Sequence, residues 1–175
     1  MKKVLVVVDM QKDFVDGALG TKEAVAILDN VVEKIDTFEG EIVATLDTHL
    51  YNYLETAEGK KLSVPHCIKM TAGWLLNEKV WKALARKDSY KLIEKSTFGA
   101  VDLVDEIQKI KGEDDVEIEF VGLCTDICVV SNALLLKAYY PECKMTVYKD
   151  CCAGVTPEGH EAALKTMEMC QIDIL

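Results

Sequence analysis

The sequence has few residues that interrupt regular structure, and it has no long hydrophobic run. Only 3 of the 175 residues are proline, and half of the residues are apolar. This composition argues against a disordered or linker-rich chain. The apolar run near the N-terminus, Val4 to Val8, ends at Asp9 and is too short for a secretory signal or a membrane span. We therefore expect a cytoplasmic protein.

The sequence also lacks the short motifs of dithiol, zinc-ribbon and nucleotide-binding proteins. The chain has 7 cysteines but no C-x-x-C pair, which disfavours a zinc ribbon or a thioredoxin-type dithiol. Neither G-x-G-x-x-G nor G-x-x-x-x-G-K-[ST] is present, so a phosphate cradle is missing. A formal net charge of −10 argues against nucleic acid or an anionic membrane as a partner. We expect most of the thiols to be small buried side chains.

The pattern of apolar residues predicts one α/β domain that spans residues 1–175. Short apolar segments predict strands at 3–9, 41–47, 90–96, 116–122 and 144–150, with a short sixth strand at the C-terminus. Helical periodicity predicts helices at 21–38, 74–87, 101–110, 127–140 and 157–170. This alternation predicts a mostly parallel sheet with helices on both faces. Residues 48–73 show little periodicity and are expected to form an irregular excursion.

Three chemically different side chains stand at the predicted strand ends. Asp9 ends the first strand, Lys95 ends the third, and Cys128 follows the fourth in the first turn of a helix. In parallel sheets the site lies beyond the carboxyl ends of the strands, so we expect these groups to meet. Each residue alone has an ordinary structural explanation, as a capping acid, a surface lysine and a buried thiol. Their joint placement predicts nucleophilic chemistry at a cysteine.

The expected chemistry assigns one role to each of these groups. A helix N-terminus or a nearby cation lowers the pKa of a thiol, which makes Cys128 a better nucleophile than Cys124. Asp9 can take the thiol proton and return it to a leaving nitrogen, while Lys95 keeps Asp9 ionised. The backbone N–H groups of Cys124 and Cys128 can stabilise a developing oxyanion.

A second polar cluster is predicted on the irregular excursion. Asp47 and His49 form a D-x-H at the end of the second strand, where alternate side chains point the same way, and His66 follows in VPHC. Two imidazoles and one carboxylate suit zinc, iron or manganese. Glu58 and Glu55 are candidates for a further ligand. The alternative is a pair of loop side chains that are hydrogen-bonded to each other.

Together these segments resemble the isochorismatase-like cysteine hydrolases, and the metal motif resembles their nicotinamidase/pyrazinamidase branch. The resemblance is carried by VVVDMQKDF, TLDTH, PHCI, EKSTFGAVDL, VGLCTDICV and KDCCAGVTPEGHEAAL, in family order over nearly the whole chain. It implies a three-layer α/β/α fold with a mostly parallel sheet of about six strands.

The resemblance also implies a set of site residues. The implied triad falls on Asp9, Lys95 and Cys128, and a cis peptide is implied before Cys124. Phe14 corresponds to an aromatic residue that lines the pocket. The implied ligands of a divalent metal, most simply zinc, are Asp47, His49 and His66, with Glu58 as the best match to a further one. One departure is Ser63, which stands where many nicotinamidases have an aromatic residue.

The resemblance therefore implies hydrolysis of nicotinamide to nicotinate and ammonia through a thioester, a step of NAD salvage. One alternative keeps the hydrolase and changes the substrate to another small amide, such as an N-carbamoyl compound, or to a vinyl ether. The vinyl-ether branch generally lacks the metal ligands, so the D-x-H counts against it. A more distant alternative is a thiol redox or binding domain. The sequence does not determine whether the chain forms a homo-oligomer.

Overall fold

A single sheet of six parallel strands organises the protein. The computed structural model describes all 175 residues. Its strands are β1 Lys2–Val8, β2 Glu41–Asp47, β3 Lys91–Lys95, β4 Val116–Leu123, β5 Lys144–Ala153 and β6 Asp173–Ile174. The sheet order is β3-β2-β1-β4-β5-β6, with every neighbouring pair parallel. The predicted number of strands and their direction are confirmed, and β3 and β6 form the two edges.

Eight α-helices and two short helical turns connect the strands. The helices are α1 Lys12–Val15, α2 Lys22–Ala26, α3 Leu28–Thr37, α4 Ala57–Lys61, α5 Glu78–Leu84, α6 Val101–Lys111, α7 Val130–Tyr139 and α8 Pro157–Met169. A 3₁₀ turn covers Tyr53–Glu55, and a π-helical turn covers Thr125–Val129. No helix is both long enough and apolar enough to cross a bilayer.

Both faces of the sheet are buried under helices, as the three-layer prediction requires. On β1, Val4, Val6 and Val8 belong to one hydrophobic core, and Leu5 and Val7 belong to the other. The first core contains α6, α7 and α8, and the second contains α2, α3 and α5. Since β1 is buried on both sides, its continuous apolar sequence matches its central place in the sheet.

Two predicted helices are shorter in the structure than their periodicity suggests. The helix predicted at 21–38 is divided into α2 and α3 at Ile27, although Thr21 caps its start as predicted by accepting a hydrogen bond from the N–H of Ala24 (3.0 Å). The helix predicted at 74–87 is reduced to α5. The backbone just before α5 bonds to the segment after β1, with Asn77 N–H donating to the Met10 carbonyl (2.8 Å). Tertiary hydrogen bonds therefore replace the first turn of that helix.

The predicted boundaries near the fourth and fifth strands also change. The helix predicted at 127–140 begins earlier, with a π-helical turn in which the N–H of Val129 donates to the carbonyl of Cys124 (3.0 Å). Strand β5 continues past the predicted end at 150 to Ala153, so Cys151 and Cys152 lie buried in the sheet. These two thiols are part of the two cores, one on each face.

The strand order places a crevice between the ends of β1 and β4. From β1 the chain extends the sheet to one side through β2 and β3, and from β4 it extends to the other side. Parallel sheets form ligand sites at such a reversal, beyond the carboxyl ends of the strands. Asp9 follows β1 directly, and the π-helical turn follows β4.

Gly122 allows β4 to approach β1 closely at this crevice. Its φ is +121°, and a Cβ at this position would lie 2.1 Å from the carbonyl oxygen of Val8. The pairing between β4 and β5 also shifts register here, between Phe120 and Gly122. Only glycine fits both the left-handed backbone and the contact.

We expect Gly122→Ala to lower the free energy of unfolding by about 3 kcal/mol, because it adds backbone strain and a clash with Val8. Urea unfolding measures this change. Gly99→Ala is the matched control, since its Cβ would meet its nearest atoms at 3.6 Å, an ordinary contact. Equal stability of the two variants would contradict the expectation.

Candidate active site

The ammonium group of Lys95 lies at the centre of a buried polar cluster at the carboxyl edge of the sheet. Its Nζ is 2.7 Å from Asp9 Oδ2, 3.4 Å from Asp47 Oδ1 and 3.5 Å from Cys128 Sγ. It also donates to the backbone carbonyl of Thr97 at 3.1 Å. The Lys95 side chain is only 2% exposed. Three strand ends therefore bring the predicted acid, amine and thiol into contact.

Asp9 is held in place from both sides. The Thr45 hydroxyl donates to Asp9 Oδ1 at 2.6 Å and accepts from the Asp9 backbone N–H at 3.2 Å, while Lys95 faces the other oxygen. The backbone of Asp9 has a φ of 47°, an uncommon conformation for a residue other than glycine and one that is found at functional sites. Burial raises the pKa of the Asp9 carboxyl against the opposing effect of Lys95. Asp9 is thus a stronger base than an ordinary aspartate.

The sequence predicts a lowered pKa for Cys128, and this prediction is wrong. Burial and the neighbouring Asp9 carboxylate raise the pKa of the Cys128 thiol well above its usual value, and Lys95 only partly opposes them. The side chain is nearly completely buried on the π-helical turn, and its environment contains a carboxylate as well as the ammonium. The resting group is therefore a thiol, and a base within reach has to remove its proton.

Lys95 keeps its charge in this environment. Burial alone would lower the pKa of the ammonium, but the carboxylates of Asp9 and Asp47 outweigh it and raise the pKa above the usual value. A permanent positive charge beside Cys128 stabilises the sulfur once it has lost its proton. The cluster therefore pairs a protonated amine with a base and a thiol.

The other cysteine of the turn differs from Cys128 in its environment. The Leu123–Cys124 peptide bond is cis, as the resemblance implies, and the N–H of Cys124 has no hydrogen-bond acceptor in the protein. Burial, with a contribution from Asp126, raises the pKa of the Cys124 thiol to about 12. All 7 cysteines are free. Cys124 thus contributes an unpaired backbone N–H and an unreactive side chain.

Asn132 connects the π-helical turn to the segment after β3. Its Nδ2 donates to the carbonyl of Cys128 at 2.8 Å and to that of Phe98 at 3.2 Å. Its Oδ1 accepts from the N–H of Ala100 at 2.8 Å. Sequence analysis missed this residue, because an asparagine inside a helix gives no sign of a partner more than 30 positions away.

The second cluster consists of Asp47, His49 and His66. All three side chains are buried, and their donor atoms lie within 4.8 Å of one another. Asp47 Oδ2 is 2.9 Å from His49 Nε2 and 3.5 Å from His66 Nε2. Burial alone would raise the pKa of Asp47, but the adjacent imidazoles of His49 and His66, together with Lys95, hold it well below its usual range. The three residues converge as the sequence predicts.

The donor atoms of this cluster fit a divalent metal ion. His66 Nδ1 donates to the Val64 carbonyl at 2.8 Å, because a carbonyl oxygen can only accept, and this leaves Nε2 as the free ligand atom. His49 Nε2 is buried without a hydrogen-bond partner. Gln11 fixes Asp47 by accepting from its N–H (2.7 Å) and donating to its carbonyl (2.8 Å). These donors and their supports are those of a metal centre.

The two glutamate candidates for a further ligand differ in their surroundings: Glu58 lies beside the imidazoles, and Glu55 is exposed. Glu58 Oε1 lies 3.6 Å from His49 Nε2 and 3.5 Å from His66 Nε2, so it borders the three-residue group. Glu55 is exposed on the 3₁₀ turn and makes no side-chain hydrogen bond. Tyr53, which sequence analysis missed, packs against both imidazoles, with ring centroids 4.7 and 5.0 Å away.

Phe14 packs beside the candidate metal cluster. It lies on α1 and is buried, and its ring centroid is 5.4 Å from that of His66. Ser63 is exposed, and its hydroxyl donates to the Gly59 carbonyl at 3.3 Å. Phe14 is therefore a second aromatic ring, with Tyr53, that borders the candidate metal centre.

Comparisons with known proteins find relatives along nearly the whole chain. Residues 3–174 match the model of the isochorismatase domain. The chain is 30% identical over 173 residues to an isochorismatase family protein of Bacillus subtilis strain 168, which covers 94% of this chain and 93% of the relative. The crystal structure of the nicotinamidase/pyrazinamidase of Bacillus subtilis has a TM-score of 0.84, with 26% identity and 99% of each chain covered. The pyrazinamidase of Pyrococcus horikoshii in complex with zinc has a TM-score of 0.80, with 28% identity, 100% of this chain and 99% of that chain covered.

We expect the purified protein to contain about one equivalent of a divalent metal, and His66→Ala to reduce that content strongly, because one of the three ligands is lost. Inductively coupled plasma mass spectrometry measures both. Glu55→Gln is the control and keeps the metal, since Glu55 is exposed away from the ligands. Full metal content in His66→Ala would remove this residue from the site.

Proposed function

The chain belongs to the isochorismatase family, and we propose that it is a nicotinamidase, which hydrolyses nicotinamide to nicotinate and ammonia. The observation that carries the proposal is the position of Lys95 Nζ, which lies within 3.5 Å of Asp9, Asp47 and Cys128 at once. A nucleophile, its base and a candidate metal ligand are thus joined at one point. The nicotinamidase/pyrazinamidase among the similar structures supports the substrate class.

In the first half of the reaction Asp9 removes the proton of Cys128, and the sulfur attacks the carboxamide carbon. Lys95 stays protonated and stabilises the sulfur anion and the base that accepts its proton. The C–N bond breaks as Asp9 passes its proton to the departing nitrogen, which leaves as ammonia. The product of this half is a thioester on Cys128, and Asp9 is again a carboxylate.

In the second half a water molecule releases the acid. Asp9 accepts a proton from the water molecule, the water oxygen attacks the thioester carbon, and the C–S bond breaks. The proton returns from Asp9 to the sulfur, so that Cys128 is again a thiol, and the nicotinic acid leaves as nicotinate after it loses its remaining proton to solvent. One acid–base residue serves both halves, which matches the raised pKa of Asp9.

The oxygen that becomes negatively charged in both halves needs hydrogen-bond donors. We assign this role to the backbone N–H groups of Cys124, which directly precedes the π-helical turn, and of Cys128 near its end. The N–H of Cys124 is free of protein acceptors, which suits it to a substrate oxygen. Removal of one such donor typically costs about 100-fold or more in rate.

The proposed metal ligands are Asp47, His49 and His66, with Glu58 as a further ligand or as the acceptor for a ligand water. Zinc is the proposed ion, supported by the zinc complex of the Pyrococcus horikoshii pyrazinamidase. When bound, a divalent ion supplies a Lewis acid that can orient a pyridine nitrogen and lower the pKa of a water. Phe14 contributes the aromatic wall beside this centre. We propose that residues 1–175 act as one hydrolase domain on a small amide.

We expect Cys128→Ala to abolish ammonia release from nicotinamide, because the variant has no nucleophile, while its metal content stays unchanged. A coupled ammonia assay measures this, and a panel of nicotinamide, pyrazinamide and an N-carbamoyl amine identifies the preferred substrate. Cys170→Ala, which removes an exposed thiol, is the matched control and keeps full activity. Undiminished release by Cys128→Ala would refute the assignment of the nucleophile.

We expect Phe14→Leu to raise KM for nicotinamide by about fivefold with a smaller effect on kcat, because an aromatic contact is worth about 1 kcal/mol. Steady-state kinetics separate the two parameters. Phe38→Leu is the control: its ring has the same 8% exposure but lies at the C-terminal end of α3, and KM should be unchanged. A larger KM effect in the control would show that the change reflects general packing.

A further inference from the structure

His160 is the one histidine outside the candidate metal centre, and the mechanism above does not use it. It lies in the second turn of α8 and is half-buried. Its Nδ1 is 2.8 Å from the hydroxyl oxygen of Thr125, and this hydrogen bond is the only one that the hydroxyl makes. Thr125 is completely buried. A buried hydroxyl whose sole partner is an imidazole shows that this contact fixes the position of one or both residues.

Thr125 lies in the chain between Cys124 and Cys128, the two cysteines that the proposed reaction uses. It is the first residue of the π-helical turn, it follows Cys124 directly, and it precedes Cys128 by three residues. A shift of Thr125 therefore moves both the free N–H of Cys124 and the sulfur of Cys128. His160 therefore bonds to the residue whose position affects both the Cys124 N–H and the Cys128 sulfur.

A second contact joins the same turn to the start of α8. Asp126, next to Thr125, accepts from the backbone N–H of Val155 at 3.0 Å. A Cβ on Gly159 would lie 2.2 Å from Asp126 Oδ2, so the helix start is shaped to admit this carboxylate. The turn is thus fixed to α8 by two neighbouring side chains, while Asn132 fixes its far end through the Cys128 carbonyl.

We propose that His160 is a positioning residue for the reaction. Its hydrogen bond to Thr125 holds the π-helical turn that carries Cys128 in place. The inference rests on the proposed role of Cys128 and extends it to α8. His160 acts on the orientation of Cys128 Sγ and Cys124 N–H relative to the substrate carbonyl, and it transfers no proton itself. Displacements of about 1 Å at such groups can cost about 100-fold in rate.

Four variants separate this role from ordinary helix packing. His160→Leu and Thr125→Val each remove one partner of the hydrogen bond with little change in volume. His160→Asn places an amide close to the position of Nδ1, and it can donate or accept, so it restores the bond whichever partner donates. The fourth variant combines His160→Leu with Thr125→Val. Glu161→Leu, a neighbouring exposed position on α8, is the control for an added leucine.

We expect kcat to fall about tenfold in His160→Leu and in Thr125→Val, with KM within about twofold of wild type, because Phe14 and the metal ligands are untouched. The double variant should be no slower than the slower single variant, since both remove the same bond. His160→Asn should retain most of kcat, and Glu161→Leu all of it. Thermal unfolding of every variant verifies that the fold is intact.

A second measurement makes the inference independent of the substrate. The rate at which iodoacetamide alkylates Cys128, followed by mass spectrometry of the Cys128 peptide, should fall several-fold in His160→Leu and recover in His160→Asn. The reason is that a displaced sulfur loses its contacts with Asp9 and Lys95. Equal or faster alkylation in His160→Leu, unchanged kcat, or multiplicative effects in the double variant would overturn the inference.

The wild-type rate tests the proposed function separately. If wild type releases ammonia from nicotinamide and the His160 variants match it, the positioning role fails and the function stands. If wild type does not hydrolyse nicotinamide, the function fails, and the alkylation rates still decide the role of His160.

Discussion

The structure depends on one buried positive charge. An ammonium group removed from water is stable only if carboxylates and hydrogen-bond acceptors surround it. Lys95 satisfies this requirement with Asp9, Asp47 and the Thr97 carbonyl, and it adds the sulfur of Cys128. The ammonium of Lys95 contacts Asp9 and Cys128 of the thiol cluster and also Asp47 of the candidate metal cluster. The positions of the two clusters therefore depend on each other. Their closeness follows from the electrostatics of burying a lysine.

The sheet makes this arrangement available. With the order β3-β2-β1-β4-β5-β6, the strands that lead to Asp9, Asp47 and Lys95 are neighbours, and β4 leads to the π-helical turn on the other side of β1. The close approach at Gly122 brings the end of β4 against β1. Loops add the rest, since His66 comes from the irregular excursion after β2. The strands position Asp9 and Lys95. The π-helical turn adds Cys128 to one cluster, and the loop adds His66 to the other.

The residues at the strand ends could be predicted because short apolar segments have clear limits and parallel strands share one edge. The supporting contacts could not be predicted. Thr45 looks like any threonine in a strand, and its hydrogen bond to an acid 36 positions earlier depends on the register of β1 and β2. The direction of the Cys128 pKa shift was also out of reach, since burial outweighs the effect of a helix start only once the fold encloses the thiol. The start of the helix predicted at 74–87 was misplaced for a similar reason, because the Asn77 N–H bonds to the Met10 carbonyl in place of a helical hydrogen bond.

Lys95 sits on β3, a strand of five residues at the edge of the sheet that pairs only with β2. Edge strands open more readily than central ones, since half of their backbone groups lack a neighbouring strand. Separation of β3 from β2 would expose the ammonium to water and release both carboxylates from it, while β1, β4 and β5 stayed assembled. Mild heat or denaturant would then cause a reversible loss of activity while most of the backbone amides were still protected from hydrogen exchange with solvent.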